Sequence, residues 1–164
     1  MKEPLEIKIA KQSVSKSPAP VETAHRIITL LPSATEIVCA LGLQDQLVGI
    51  THECNYPTSI VDRPIVTRST IQKGLSSLVI DLNVRDHLDD NTALYSIDQA
   101  LMAELEPTVI VTQALCDVCA VAESEVKAVI EKLNLKPRLL NLEPMSLNDV
   151  FDTILMVGEA CGVA

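Results

Sequence analysis

Residues 108–122 read TVIVTQALCDVCAVA, and no other stretch limits the possible folds of this chain as strongly. Thr108, Val109, Ile110 and Val111 favour extended backbone. Their run is continuous rather than alternating, which is the pattern of a strand covered on both faces. Such a strand belongs to a parallel sheet with helices on either side. The apolar run stops at Gln113, and Cys116, Asp117 and Cys119 follow at once. In open α/β sheets ligands collect outside the carboxyl ends of the strands, so these four residues are candidate ligand contacts.

The flanking segments repeat the alternation of strand and helix. RIITLL (26–31) is a second β-branched run, broken by Pro32-Ser33. Ser33 with Glu36 matches a capping box, and Ile37, Ala40 and Leu41 give an apolar helical face that Gly42 ends. LVGIT (47–51) is a short strand leading into His52, Glu53, Cys54, Asn55, Tyr56 and Pro57. Pro64-Ile65-Val66 is a short extended piece, Thr67-Arg68-Ser69 a polar loop, and 78–84 apolar without a clear period. Ser96 with Gln99 forms a second capping box, with Ile97, Leu101, Met102 and Leu105 on one face as far as Pro107. Residues 124–133 form an amphipathic helix, 138–142 a strand, and 146–161 a last helix carrying Val150, Ile154, Leu155 and Gly158. The expected fold class is a three-layer α/β lobe: a parallel sheet with helices on both faces.

A length of 164 residues with 48% hydrophobic content suits one domain with an aliphatic core, since only two Tyr, one Phe and no Trp are present. A formal charge of −9 argues against nucleic acid or an anionic membrane surface as a partner. No run approaches the ~18 apolar residues of a membrane span, so membrane insertion is not expected. Five cysteines are an odd number in a full-sized core and read as reduced. Residues 1–24 hold charges where a secretory signal needs an apolar stretch, and read as a disordered leader. A cytoplasmic location is the resulting expectation.

Cys116 and Cys119, with His52 and Cys54 from the neighbouring strand end, make a Cys₃His set able to hold zinc. The alternative for the cysteines is loop packing, since free Cys is among the most buried residue types. His52 has an imidazole suited to cobalt or simply to a loop hydrogen bond. Tyr56 offers a ring to stack on a ligand or cover the sheet edge. Ser33 and Thr35 read as helix caps before ligand donors, although a cap exposed in a cleft can be both. Cys39 and Cys161 read as core residues and His87 as a solvated loop residue. No nucleophile, base and orienting group combine into a catalytic set, and no Gly-rich phosphate loop is present, so a non-enzyme is expected.

The strings RIITLLPSATEIVCALGLQDQLVGITHECNYP, VTRS and LYSIDQALMAELEPTVIVTQALCDVCAV resemble the amino-terminal lobe of the cobalamin and iron-siderophore substrate-binding family. They are most similar to its cobalamin-binding subgroup. The resemblance implies a non-catalytic clamp that delivers a corrinoid or related metal chelate. Ligand-facing loops would lie at 32–35, 52–56, 113–119 and 143–145, with Ser33, Thr35, His52, Cys54, Tyr56, Gln113, Cys116, Asp117 and Cys119 as contacts. Family members continue through a long helix into a second lobe. The expectation is therefore an amino-terminal lobe over 25–164 with the second lobe absent, as a fragment, a truncated gene product, or a lobe completed by a separate chain or a homodimer. The runner-up function is a metal-binding or redox-sensing module built on Cys116 and Cys119 with His52 and Cys54.

Overall fold

A computed structural model describes residues 24–71, 74–89, 94–113, 121 and 123–163. The leader expected over 1–24 lies outside these residues except for Ala24, as do Cys116, Asp117 and Cys119. The elements run β1 (Ile27–Thr29), α1 (Pro32–Ala40), β2 (Leu47–Ile50), β3 (Thr67–Ser69), α2 (Ser77–Asp89) and β4 (Tyr95–Ile97). They continue as α3 (Gln99–Leu105), β5 (Val109–Thr112), α4 (Glu123–Lys132), β6 (Arg138–Asn141) and α5 (Leu147–Ala160).

Four strands form a parallel sheet in the order β2-β1-β5-β6. Alternation along the strands splits the core into two layers. Ile27, Val109 and Val111 join Ala34 and Val38 of α1 and Val157 and Ala160 of α5 on one face. Ile28 and Ile110 join Met102 of α3 and Val126 and Val129 of α4 on the other. The unbroken apolar run of β5 is thereby explained, because all four of its residues are buried between two helical layers. The expected three-layer α/β lobe is the observed one.

Five local expectations are corrected. Ser33 does not cap α1: Pro32 takes the first helical position, and Leu31 is the N-cap with no side-chain hydrogen bond. Proline suits that position because its missing N–H would have had no partner there. Residues 67–69, expected as a loop, form β3, antiparallel to β4 with Arg68 opposite Ser96. That pairing holds Ser96 extended, so the cap of α3 passes to Asp98, whose side chain accepts from the Leu101 amide at 3.1 Å. On α5 the core stripe runs through Thr153, Val157, Gly158 and Ala160, so the expected Gly158 belongs to it, but Val150 is 40% and Leu155 58% exposed. His87, expected in a loop, lies within α2, as does the 78–84 stretch.

Gly42 and Gly49 are needed where they stand. Gly42 adopts φ +75 beyond α1, and the adjacent Leu43 amide donates to the Val38 carbonyl, closing the helix end. At Gly49 a Cβ would lie 2.9 Å from Val66 Cγ1, 3.0 Å from Leu105 Cδ1 and 3.2 Å from Ile28 Cγ1. Val66 is stiff and fully buried and cannot yield. Gly49→Ala is expected to destabilise the fold by about 1–3 kcal/mol, read as a lower urea midpoint with an unchanged m-value.

Candidate functional site

The strand order places the site. The crossover from β1 leads outward to β2 on one side and that from β5 to β6 on the other, so the order reverses between β1 and β5. The crevice outside the carboxyl ends of strands at such a reversal is where open α/β sheets hold ligands. The turn into α1, the 51–57 loop and Gln113 all stand at that end.

Buried hydroxyls lock these loops. Thr29, the last residue of β1, and Thr35 of α1 share a hydrogen bond at 2.6 Å, and Thr35 Oγ1 lies 2.9 Å from Cys54 Sγ. Both threonines are fully buried. Across the sheet, Thr67 of β3 gathers three contacts. Thr51 Oγ1 lies at 2.8 Å, the His52 amide donates at 3.1 Å, and His52 Nδ1 lies at 2.7 Å. His52 Nε2 is 3.1 Å from Glu53 Oε1, a close approach without hydrogen-bond geometry, and the ring packs on Tyr95 at 5.4 Å between centroids. The 51–57 loop is thus held by Cys54 towards α1 and by His52 towards the β3–β4 pair. It continues through a cis peptide between Tyr56 and Pro57.

Of the residues expected at the site, Ser33 is exposed on the first turn of α1, Tyr56 is 63% exposed, and Gln113 is half-buried. Thr35 has no exposed surface, so its hydroxyl supports the loop from inside the lobe. His52 and Cys54 share a loop but turn to opposite sides of it, as their partners Thr67 and Thr35 show. Among the described residues no three His, Cys, Asp or Glu converge on a metal position. The Cys116 and Cys119 half of the Cys₃His set lies outside them. Burial pushes the Cys54 thiol up, with the Thr35 hydrogen bond working against it. Burial also raises Cys39 and Cys161.

Two cavities border these loops, the second at the 143–145 loop that the sequence also marks. Glu36, Ile37, Cys39, Ala40, Tyr56, Pro57 and Ile154 line an apolar cavity of about 450 Å³ between α1, the 51–57 loop and α5. Cys39, expected in the core, is half-buried on its wall. A smaller cavity of about 260 Å³ beyond β6 is bordered by Asn141, Glu143, Asp149 and Asp152. There Asp149 Oδ2 accepts from the Met145 amide at 2.9 Å, and Ser146 caps α5 through the Asp149 amide. The larger cavity has no sequence signal, because it joins α1, the 51–57 loop and α5, which are distant along the chain.

No family model and no curated protein matches the sequence. Solved structures do match in shape. A possible iron-binding (periplasmic solute-binding) protein from Staphylococcus epidermidis superposes with a TM-score of 0.58 at 16% identity, over 86% of this chain and 44% of that one. The periplasmic heme-binding protein RhuT from Roseiflexus gives 0.58 at 20% identity, over 86% and 42%. The periplasmic vitamin B12-binding protein BtuF of Vibrio cholerae gives 0.56 at 19% identity, over 86% and 42%. The chain has the fold of one lobe of these periplasmic binding proteins. It spans less than half the length of each. The cytoplasmic expectation is overturned by this comparison, because the proteins of this fold that it finds are periplasmic. That expectation rested on charges within residues 1–24, which carry no location by themselves.

Thr35→Val is expected to cost about 1–3 kcal/mol in urea unfolding, because it leaves the buried Thr29 hydroxyl without its partner. It should also slow alkylation of Cys54, because the hydrogen bond that favours its thiolate is lost. The hydrogen bonds to Asp149, from the Met145 amide first, hold its carboxyl below the usual carboxylate range. A lowered pKa stabilises above the unfolded value and is lost as pH falls through the folded one. Acidification below that usual range is therefore expected to shift the Met145 amide resonance with the Asp149 titration, a movement absent in Asp149→Asn.

Proposed function

We propose that this chain forms one wall of a non-catalytic binding site for a metal chelate, a corrinoid first, at its strand-end loops. One observation carries the reading: the reversal between β1 and β5 gathers the α1 turn, the 51–57 loop and Gln113 at one end of a lobe. That lobe has the fold of proteins whose names specify iron, heme and vitamin B12. Ser33, Tyr56 and Gln113 would meet ligand directly. Tyr56 is an exposed ring beside an apolar cavity, suited to a broad, flat macrocycle. Cys116, Asp117 and Cys119 would complete the rim from the loop after β5. His52 Nε2, 3.1 Å from Glu53 Oε1 and without a hydrogen-bond partner, would be the nitrogen offered to a cobalt or iron centre, while Nδ1 anchors the loop on Thr67.

A single lobe supplies one wall, and tight capture needs a second. Within this reading a further lobe, or a second copy of the chain, closes the open side. The test is titration of the reduced chain with cyanocobalamin, hydroxocobalamin and hemin, followed by visible absorbance and calorimetry. Saturable band shifts, weakened roughly tenfold or more by Tyr56→Ala or Cys116→Ser, are the expected outcome. Absence of any shift at millimolar ligand, with zinc in the purified protein, would overturn it in favour of a Cys-based metal module.

A further inference from the structure

Cys54 Sγ touches Thr35 Oγ1 at 2.9 Å, and Cys39 stands four residues beyond Thr35 on the same helix. Residues so spaced lie on one helical face with Cβ atoms about 5–6 Å apart. The two thiols are therefore neighbours across the seam between α1 and the 51–57 loop. Both pack against the same core cluster and both are half-buried, and Cys54 adds to the burial that pushes the Cys39 thiol up. Cys161, the other cysteine among the described residues, is buried beyond the end of α5. Cys39 also lines the cavity whose opposite wall is Tyr56 and Pro57, two and three residues past Cys54.

We propose that Cys39 and Cys54 are a redox pair that closes into an intramolecular disulfide, stapling the 51–57 loop to α1. The structure shows the open, dithiol form. Closure requires the loop to draw towards α1, because a disulfide brings Cβ atoms to about 3.5–4.5 Å. In the reaction one thiolate attacks a sulfur of a small-molecule disulfide, such as oxidised glutathione, and expels one thiol. The second cysteine then attacks the mixed disulfide and expels the other. Two protein thiols are oxidised, losing two protons and two electrons, and one disulfide oxidant is reduced to two thiols. The bond replaces the Cys54 contact with Thr35 by a covalent one and sets the width of the cavity between α1 and Tyr56. It makes the mobility of a strand-end loop depend on redox state.

The full chain, folded and treated with oxidised glutathione, is digested after Arg and Glu without reduction. Cleavage at Arg26, Glu36, Glu53 and Arg68, the Arg63 bond being protected by Pro64, separates peptide 37–53, holding Cys39, from peptide 54–68, holding Cys54. The two are expected as one species that reduction splits. The crosslink closes a loop of about 15 residues and should raise Tm by roughly 5–10 °C. That gain should vanish in Cys39→Ser and Cys54→Ser and persist in Cys161→Ser. Peptide 37–53 recovered unlinked, or Cys54 joined instead to Cys116 or Cys119, would overturn the proposal. The mapping is done on the unaltered protein, so it decides the matter even where a variant fails to fold.

Discussion

The rest of the molecule depends on the pairing of β1 with β5. β1 is three residues long with no exposed surface, and it is hydrogen-bonded to β2 on one edge and β5 on the other. Ile27 and Ile28 point into different core layers, as Val109 and Ile110 do beside them. Each such burial is worth about 1.5–3 kcal/mol, and these side chains draw α1 and α5 to one face and α3 and α4 to the other. The reversal of strand order at the same pair makes the most buried part of the lobe also the floor of its candidate site.

What turns that floor into a defined surface is a small set of threonines. A hydroxyl removed from water costs free energy unless it finds a partner. Thr29 with Thr35, and Thr51 with Thr67, satisfy each other in pairs. Each pair then holds one residue of the 51–57 loop: Cys54 through Thr35 and His52 through Thr67. The loop is pinned at two points on opposite sides, leaving Tyr56 to project beyond them. The β3–β4 pair, outside the main sheet, takes part because Thr67 and Tyr95 both meet His52.

The same arrangement separates buried from exposed side chains among the candidate residues. Thr35, which the sequence suggests as a ligand contact, works from below the surface, whereas Ser33 and Tyr56 stand on it. His52 and Cys54 are two residues apart yet face different partners, so their closeness in sequence is not closeness of donor atoms. Cys39, which carries no motif, becomes a wall of the apolar cavity through its place on α1.

The sequence alone determined the α/β class, the parallel sheet and the position of most strands and helices. Continuous β-branched runs and 3.6-residue periodicity are local signals that burial on both faces enforces. It also marked the loop ends where polar residues interrupt apolar strands. Tertiary structure decided what local signals do not encode. Pairing of β3 with β4 took Ser96 from a cap into a strand, and packing of α5 through Val157 and Ala160 left Leu155 exposed. The order β2-β1-β5-β6, and with it the reversal at which the candidate site lies, follows from contacts between residues some eighty positions apart, Ile27 with Val109 and Ile28 with Ile110. Such contacts are fixed only when two core layers close over one sheet.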